Sequence, residues 1–384
     1  MKDQTTAIHG HNFFDEELGV FIPPIYQTAI FEQPGYTRRS DRGLDLKYSR
    51  EENPTVRCVE HVVTKLERGG DTLCFSSGMA AISCLFISIL KSGSTVLLPK
   101  EAYGSTIQLA QDLNKFNIRI ILAEPSTEKF IDVIDKNISL VFIETITNPM
   151  LRVLDIPEVV KKCRDLKIPV AVDNTFTTPI LYKPLIDGVN YVVHSMTKYL
   201  AGHNDVVAGC ITGSKEFIND AWHWRRKLGT IASPFNAYLI LRGLKTLKLR
   251  VEKHCENARI IAEFLSNHSK ISKVYYPGLP DNEYHDIARK MFNNRYGGVV
   301  SFKIKGDRSE VIKIMKSLKI IKSSPSLGGV ESLLTYPIIS AAMGIDENIR
   351  RDLGITENLL RLSVGLEDVN DLIEDLDKAL SNID

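Results

Sequence analysis

The sequence predicts a mostly parallel α/β sheet with helices packed against it, followed by a smaller second domain. Two observations lead to this prediction. Short apolar runs, often β-branched, are typical of strands buried on both faces, and they recur at residues 95–98, 118–122, 140–143, 170–172 and 191–193. Between these runs lie segments with apolar residues at helical spacing, such as 156–166. Strands that alternate with helices form parallel sheets.

The 384-residue chain changes character near residue 51. Residues 1–50 contain Pro23-Pro24 and other turn formers, so we expect an N-terminal arm that contacts a neighbouring subunit. Residues 51–245 are expected to form the main domain, and residues 246–384 a smaller α/β C-terminal domain. The other predicted elements are helices at 56–67 and 80–90, a strand at 72–75, helices across 238–264, a strand at 299–305 and a closing helix at 369–381.

Composition favours small-molecule chemistry. The 48 basic and 47 acidic residues give a net charge of +1, which supplies no basic surface for nucleic acid or an anionic membrane. Six cysteines without a Cys-x-x-Cys pair argue against a zinc ribbon or a disulfide framework, so we expect no metal and a reducing, cytoplasmic location. The first residues lack the apolar core of a signal peptide. The apolar runs are also too short to span a bilayer.

Polar residues follow several predicted strands, where parallel sheets bind their ligands. Asp173 follows the run at 170–172, and Lys198 follows the run at 191–193. Gly78 and Met79 open a helix, whose first N–H groups and dipole favour a phosphate. Each feature also has an ordinary explanation: a turn for the glycine, a cap for the aspartate and a solvated strand-end position for the lysine.

The combination of these three features is more specific than any one of them. A partly desolvated lysine amine is a Schiff-base nucleophile. Pyridoxal phosphate needs such a lysine, an acid against its ring nitrogen and a cradle for its phosphate. All three occur in order along the chain at strand ends, which indicates a pyridoxal-phosphate site centred on Lys198.

Seven ordered motifs resemble those of the Cys/Met-metabolism family of pyridoxal-phosphate enzymes over essentially the whole chain. The resemblance implies fold type I, the aspartate-aminotransferase-like fold. The motifs are Tyr48-Ser49-Arg50 with Asn53-Pro54-Thr55, Ser76 to Ile82, Glu144 to Pro149, Val172 to Phe176, His194 to Lys198 with Gly202-His203, Ser326 to Leu333, and Arg361 to Glu367.

The resemblance implies that Lys198 binds the cofactor and moves protons between substrate carbons. It implies that Asp173 pairs with the ring nitrogen and that Tyr103 stacks on the ring and assists proton transfer, although a core aromatic is the ordinary explanation for Tyr103. The implied phosphate ligands are the N–H groups of Gly78 and Met79, the hydroxyls of Ser195 and Thr197, and Tyr48 and Arg50 of a neighbouring subunit.

The resemblance also implies a site for an amino-acid substrate. Arg361, with Asn148 and the backbone at Ser326, is expected to bind the α-carboxylate. Glu144 is expected to orient the residues on the cofactor side of the site without contacting the substrate. Asn148 before a proline is also compatible with a simple turn.

Three departures from the family pattern bear on the reaction. Pro325 stands where typical γ-lyases and bacterial γ-synthases have glutamate, and a proline there resembles some γ-synthases, notably plant-type ones, more than γ-lyases. Lys47 replaces a residue that is often acidic, and it could meet a distal anion of the substrate or be a solvated loop lysine. Third, Gln108 stands where the family has arginine, which argues against recognition of a carboxylate at the far end of the substrate. In the same segment, Ser105 stands where methionine γ-lyases commonly have cysteine, which counts against that activity.

These departures favour a cystathionine γ-synthase that uses cysteine and an O-activated homoserine. The alternatives are a cystathionine γ-lyase, then a methionine γ-lyase or a cystathionine β-lyase, and from another class a non-catalytic homologue. The ester of the activated homoserine stays open among acetyl, succinyl and phospho. The resemblance implies a homodimer with shared active sites that pairs into a tetramer.

Overall fold

A computed structural model describes residues 1–11, 13, 17–32, 46–343 and 345–382. The charged segment before residue 46, which includes Asp45 beside the candidate Lys47, lies outside the described residues. The chain forms two compact units, which we describe separately. The first comprises Met1–Lys91 and Val170–Lys248, and the second comprises Ser92–Pro169 and Leu249–Asp384.

The described residues contain twelve strands and fourteen α-helices. The strands are β1 (Asp71–Phe75), β2 (Thr95–Pro99), β3 (Arg119–Ala123), β4 (Leu140–Glu144), β5 (Val170–Asp173), β6 (Tyr191–Ser195), β7 (Gly209–Gly213), β8 (Ile271–Tyr275), β9 (Val299–Ile304), β10 (Lys322–Ser323), β11 (Leu333–Thr335) and β12 (Leu359–Ser363). The helices are α1 (Asp3–His9), α2 (Pro54–Glu67), α3 (Gly78–Ile89), α4 (Gly104–Asp112), α5 (Thr127–Asp132), α6 (Ile156–Asp165), α7 (Thr178–Leu181), α8 (Lys215–Leu228), α9 (Pro234–Leu244), α10 (Leu247–Asn267), α11 (His285–Phe292), α12 (Arg308–Ser317), α13 (Glu347–Asp352) and α14 (Val369–Ser381).

The large sheet has seven strands, four of them in the first unit in the order β1-β7-β6-β5. Strands β5 and β6 are parallel, with Asp173 opposite Val193, whereas β7 runs antiparallel to both β6 and β1. Helices α2, α3 and α8 pack against these strands. The carboxyl ends of β5 and β6 therefore bring their final residues to one edge of the sheet.

Local sequence explains the two helices nearest that edge. Helix α2 starts at Pro54, which suits the first helical position, and Asn53 caps it by accepting from Thr55 N at 3.0 Å. Ser77 caps α3 in the same way, accepting from Ala80 N at 3.0 Å. The buried face of α2 packs on β1 and fixes its orientation.

The second unit contributes three parallel strands of the large sheet, in the order β4-β2-β3. It also holds a separate five-stranded sheet in the order β10-β11-β12-β9-β8. Strand β12 lies between β11 and β9 and is antiparallel to both, with Arg361 opposite Thr335 on one side and Ser301 on the other. Arg361 therefore lies in the interior of this smaller sheet.

The predicted fold class is confirmed: a mostly parallel large sheet and a second, smaller sheet. The apolar runs of the sequence correspond to β2 through β6. Among the elements that the sequence did not predict are strands β7, β8, β10, β11 and β12, and helix α1, whose Thr6 and Ala7 are buried. The predicted domains 1–50, 51–245 and 246–384 stay a prediction. Within the described ranges, no helix has the length and apolar character needed to cross a membrane.

Candidate active site

In the first unit, the start of α3 lies directly against the end of β6. A Cβ added at Gly78 would lie 2.9 Å from the Cβ of Ser195, and one added at Gly209 would lie 2.6 Å from the Cα of Gly78. Both positions therefore need glycine because of the close approach. This packing brings the first N–H groups of α3, those of Gly78 and Met79, next to the hydroxyl-bearing end of β6.

The chain after β6 carries Lys198 in a compact turn. Lys198 N donates to Ser195 O at 3.2 Å, and Gly202 N donates to Lys198 O at 2.8 Å, so the backbone on both sides of the lysine is fixed. Its side chain is half-buried. The Thr197 hydroxyl accepts from Ala208 N at 3.1 Å and donates to Ala208 O at 3.2 Å.

Asp173 ends β5 at the same edge. Its Oδ1 accepts from Thr175 N at 2.9 Å, so the turn-capping role considered from the sequence is present. Although the residue keeps a partly exposed surface, burial raises the pKa of the carboxyl, while hydrogen bonds from Thr175 and the charge of His194 lower it. The Thr175 hydroxyl also accepts a hydrogen bond from Ser195 N at 2.8 Å. Thr175 therefore couples the β5 end to the β6 end.

The end of the predicted N-terminal arm presents Tyr48 and Arg50 on the surface. Tyr48 is 42% exposed, and the Arg50 guanidinium lies 5.3 Å from the centroid of its ring. Arg50 Nη1 donates to Arg226 O at 2.7 Å. Lys47, just before Tyr48, is half-buried, and its carbonyl accepts from Phe31 N at 3.0 Å.

In the second unit, Arg361 is 3% exposed and is held by oxygen atoms from three segments. Its Nη1 donates to Asn148 Oδ1 at 2.8 Å. Its Nη2 donates to Ser326 O at 2.8 Å and to Thr335 Oγ1 at 3.1 Å. Ser326 has a φ of 137°, which is rare outside glycine and indicates local strain at this contact. A guanidinium fixed in this way has the geometry for binding a carboxylate.

Tyr103 and Glu144 form a second group in this unit. Tyr103 is 42% exposed and directly precedes α4, and its backbone N donates to Glu144 Oε1 at 2.7 Å. The buried Glu144 therefore fixes the backbone from which the tyrosine ring projects. Sequence reasoning named both residues but gave no contact between them.

Sequence reasoning missed several supporting residues. Glu101 is fully buried, accepts from Met150 N at 2.6 Å and pairs with Arg152 Nη1 at 2.8 Å; burial raises its pKa to about 7. This pair fixes the chain just after Asn148. Thr335 lies two residues after the Ser326 motif ends, and only the β11–β12 register reveals its contact with Arg361. In the described part of the chain, no cluster of His, Cys, Asp and Glu could hold a metal ion.

Comparisons with known proteins identify the class. The model of the family described as Cys/Met metabolism PLP-dependent enzyme matches residues 4–381. A cystathionine γ-lyase of Bacillus subtilis is 38% identical, with all of both chains covered. A cystathionine γ-synthase of Mycobacterium bovis is 37% identical, covering 98% of this chain and 96% of that one. The crystal structure of cystathionine γ-synthase from Xanthomonas oryzae pv. oryzae, in complex with aminoacrylate and cysteine, has a TM-score of 0.94 at 34% identity, covering 99% of this chain and 98% of that one.

The protein is therefore an enzyme that depends on pyridoxal phosphate. The chain belongs to the Cys/Met-metabolism family of such enzymes, which confirms the resemblance drawn from its motifs. The residues present fit the cofactor: a lysine, a half-buried acid and a helix start whose glycine leaves room beside Ser195. The names of its relatives cover γ-lyases, β-lyases and γ-synthases, so family membership does not select one reaction.

Proposed function

We propose that this enzyme is a cystathionine γ-synthase. In this reaction, the bond from Cγ of an activated homoserine to its ester oxygen breaks and a bond from Cγ to the sulfur of cysteine forms. The acid that activated the homoserine leaves, and the thiol proton is released. The observation that favours this reaction over its relatives is Lys47, a half-buried cation that directly precedes Tyr48.

The assigned residues divide the chemistry. When bound, pyridoxal phosphate supplies an electron sink for negative charge at the substrate Cα. Lys198 Nζ takes the Cα proton and serves the later proton transfers, and Asp173 holds the ring nitrogen protonated. Arg361 binds the α-carboxylate through its planar fork, with Asn148 and Ser326 O fixing the guanidinium.

Lys47 is assigned to the far end of the substrate. An O-succinyl or O-phospho ester ends in an anion, which a lysine can bind as a point charge. Gln108, on α4, is exposed and uncharged, so it cannot replace the distal arginine of the family pattern. Pro325 is also exposed and lacks the carboxylate that γ-lyases have there. Lys47 therefore favours a substrate with a negative distal group, whereas Gln108 supplies no charge to bind a distal carboxylate and Pro325 supplies none to bind a distal amino group.

The second candidate is cystathionine γ-lyase, which would release cysteine, 2-oxobutanoate and ammonia from cystathionine. The observation in its favour is the 38% identity to a γ-lyase over the whole of both chains. One active site with these residues could support both reactions, because the steps up to departure of the γ substituent are shared. Methionine γ-lyase and cystathionine β-lyase have no specific support from the site residues.

The deciding experiment offers the purified enzyme two kinds of substrate. Cysteine is supplied with O-acetyl-, O-succinyl- or O-phosphohomoserine, and in parallel cystathionine is supplied alone. We expect cystathionine to form from one or more of the esters. The kcat/KM for this synthesis should exceed the kcat/KM for cleavage of cystathionine by the same enzyme. Faster release of 2-oxobutanoate from cystathionine alone would instead establish the lyase. Lys198→Ala should abolish both activities and the visible absorption of the bound cofactor.

The role of Lys47 has its own test. Lys47→Ala should raise KM for the succinyl or phospho ester by about fivefold, because one charge contact made by a half-buried side chain contributes on the order of 1 kcal/mol. KM for the uncharged acetyl ester should change little. Lys316→Ala, which removes an exposed lysine on α12, is the matched control. Equal effects on all three esters would refute the distal-anion assignment.

We further propose that the enzyme acts as a cytoplasmic homodimer whose active sites are shared, and that two dimers pair into a tetramer. The exposed positions of Tyr48 and Arg50 support the shared site. Both side chains can reach a neighbour because they lie at the surface of their own chain.

A further inference from the structure

Asn148 is one of the groups that set the direction of the Arg361 guanidinium. Its Oδ1 accepts from Arg361 Nη1 at 2.8 Å, and both residues are buried. Asn148 lies in a turn at residues 147–152, outside any strand or helix, so no ladder of backbone hydrogen bonds fixes its place. The position of its amide must therefore be set by contacts that other segments make with this turn.

Two side chains bind the backbone that directly follows Asn148. Ser301 donates from Oγ to Pro149 O at 2.6 Å. Glu101 accepts from Met150 N on Oε1 at 2.6 Å. Ser301 and Glu101 are both fully buried, where a hydrogen bond is electrostatically stronger than in water. The turn is therefore held from strand β9 and from the segment that follows β2.

The same turn is closed at its ends. Thr147 N donates to Arg152 O at 3.0 Å, and Arg152 N donates to Thr147 Oγ1 at 2.9 Å. The second carboxylate oxygen of Glu101 accepts from Arg152 Nη1 at 2.8 Å. Leu151, inside the turn, has a φ of 57°, in the left-handed region that residues other than glycine rarely adopt. Such a conformation persists only where surrounding contacts hold it, so the turn owes its shape to these contacts.

Ser301 connects the turn to the strand that carries Arg361. The two residues are directly opposite each other in the antiparallel β9–β12 register, and such pairs present their side chains on the same face of a sheet. Strand β9 thus holds the turn beside the guanidinium that Asn148 contacts. Movement of the turn relative to β12 would shift Asn148 Oδ1 away from Nη1. A bidentate contact with a carboxylate needs both N–H groups aligned, so a small rotation of the guanidinium weakens it.

We propose that Ser301 and Glu101 are positioning residues for substrate recognition. They hold Asn148 against Arg361 and so determine how tightly the guanidinium binds the substrate α-carboxylate. The proposal rests on the assignment of Arg361 to that carboxylate. Neither positioning residue is assigned a contact with the substrate or the cofactor.

The test compares two probes, glycine and methylamine, which differ only in the α-carboxylate. Their binding to the holoenzyme is titrated through the change in visible absorption of the bound cofactor. Ser301→Ala removes the donor to Pro149 O, and Glu101→Gln leaves one oxygen for two donors. We expect each variant to lose about tenfold in affinity for glycine, because a rotated guanidinium loses one of two charge-assisted hydrogen bonds. Affinity for methylamine should change little, whereas general loosening of the fold would weaken both probes equally.

Each variant has a matched control. Ser272→Ala removes a hydroxyl from the neighbouring strand β8, where it donates to Lys303 O at 3.0 Å. Glu60→Gln changes another fully buried glutamate with the same two kinds of partner, since it accepts from Cys74 N at 2.8 Å and from Arg225 Nη1 at 3.1 Å. None of these contacts involves the turn at residues 147–152. Both controls should keep the wild-type ratio of glycine to methylamine affinity.

A double variant tests whether Ser301 acts through Arg361. Adding Ser301→Ala to Arg361→Lys should cause no further loss of glycine affinity, because the planar fork that Ser301 positions is already gone. A full additional loss would show that Ser301 acts elsewhere, and would overturn its role. Circular dichroism verifies that the variants are folded, and either Ser301→Ala or Glu101→Gln is sufficient for the comparison of the probes.

The outcomes separate this inference from the assignment on which it rests. If the affinity ratio falls in Arg361→Lys but stays at the wild-type value in Ser301→Ala and Glu101→Gln, the positioning role alone is refuted. If Arg361→Lys itself leaves the ratio unchanged, the assignment of Arg361 to the α-carboxylate is refuted, and this inference with it. The proposed γ-synthase reaction is judged separately, by its products.

Discussion

At the scale of single residues, Arg361 shows how a charge is kept inside a sheet. All five residues of β12 are buried, and Arg361 is among them. Burying a guanidinium is costly unless its N–H groups are hydrogen-bonded. Asn148 Oδ1, Ser326 O and Thr335 Oγ1 supply acceptors, all of them neutral. These contacts orient the guanidinium without cancelling its charge.

We predict that Arg361→Lys raises KM for the amino-acid substrate by about 30-fold, equivalent to roughly 2 kcal/mol. Lysine keeps the charge but loses the planar fork that binds a carboxylate at two points. Steady-state kinetics on the best substrate would measure the change. Cofactor affinity should be unchanged, since Arg361 is assigned to the substrate.

Arg351→Lys is the control for this prediction, because Arg351 is exposed on α13 and pairs only with Glu347 in the contacts observed for it. It should leave KM as in the wild type. A fall in kcat for Arg361→Lys with KM unchanged would contradict the carboxylate-binding role.

Sequence reasoning reached the residues that sit in motifs and missed those that support them. Lys198 and Asp173 could be predicted because they follow apolar strands in a fixed order. Glu67 could not, because it contacts His194, 127 positions further along the chain, and stands in no motif. Thr335 was missed for the same reason: its role depends on the register of two strands. The motifs contain the residues that are expected to contact ligands. The residues that hold those side chains in place are determined by tertiary contacts, which the sequence does not show.

At the scale of elements, helix α10 anchors the chain that leaves β12. His254 is fully buried, and its Nδ1 lies 2.6 Å from Val364 O. Asn257, one turn further along, donates from Nδ2 to Gly365 O at 3.1 Å and to Glu367 O at 3.0 Å. The segment that follows Arg361 is therefore fixed by side chains of one helix.

This anchor makes stability depend on pH. Burial lowers the pKa of His254 to about 4 from its ordinary value of 6.5, although the bond to Val364 O opposes the shift. Between these two values the unfolded chain binds a proton that the folded chain does not. The contribution of His254 to the free energy of unfolding is therefore fully present above pH 6.5, and it is lost as the pH falls toward 4. The expected loss from this group is about 3 kcal/mol.

Denaturant titrations of His254→Asn at a series of pH values would test this. Asparagine can still donate a hydrogen bond to Val364 O but does not titrate, so its free energy of unfolding should fall less over this window. His223→Asn, at an exposed histidine of α8, should keep the wild-type slope. The same slope in His254→Asn and wild type would disprove the assignment.

The elements themselves were predictable where one pattern dominated. Apolar runs revealed β2 through β6 because both faces of these strands are buried. Strand β7 has glycine at both ends and only three apolar or small residues between them, so its pattern is weak. Strands β10 and β11 have two and three residues, too few for a period to show. Strand β12 was not predicted because the charged Arg361 interrupts the apolar run by which a buried strand is recognised.

At the scale of the whole molecule, the N-terminal arm exposes apolar side chains. Leu18 is 76% exposed, Phe21 79% and Ile30 68%. Clustered exposed apolar residues are typical of surfaces that another protein covers. In a dimer with two-fold symmetry, each arm would cover the partner and bring Tyr48 and Arg50 to the partner's cofactor. The shared-site proposal thus explains both the exposed arm and the exposed phosphate ligands.

Subunit mixing tests this arrangement directly. Arg50→Ala and Lys198→Ala homodimers should both have little activity, because each site then lacks one required residue. In a mixed dimer, one site contains both lesions, but the other pairs an intact Lys198 with an intact Arg50 of the partner. Random exchange should therefore restore up to about a quarter of wild-type activity, since half of the dimers are mixed and each has one working site of two.

A mixture of Lys198→Ala with Asp173→Asn is the control. Both residues belong to the same chain's part of the site, so no mixed dimer has an intact active site. Recovery in this control, or none in the Arg50 mixture after proven exchange, would mean that Arg50 serves its own chain.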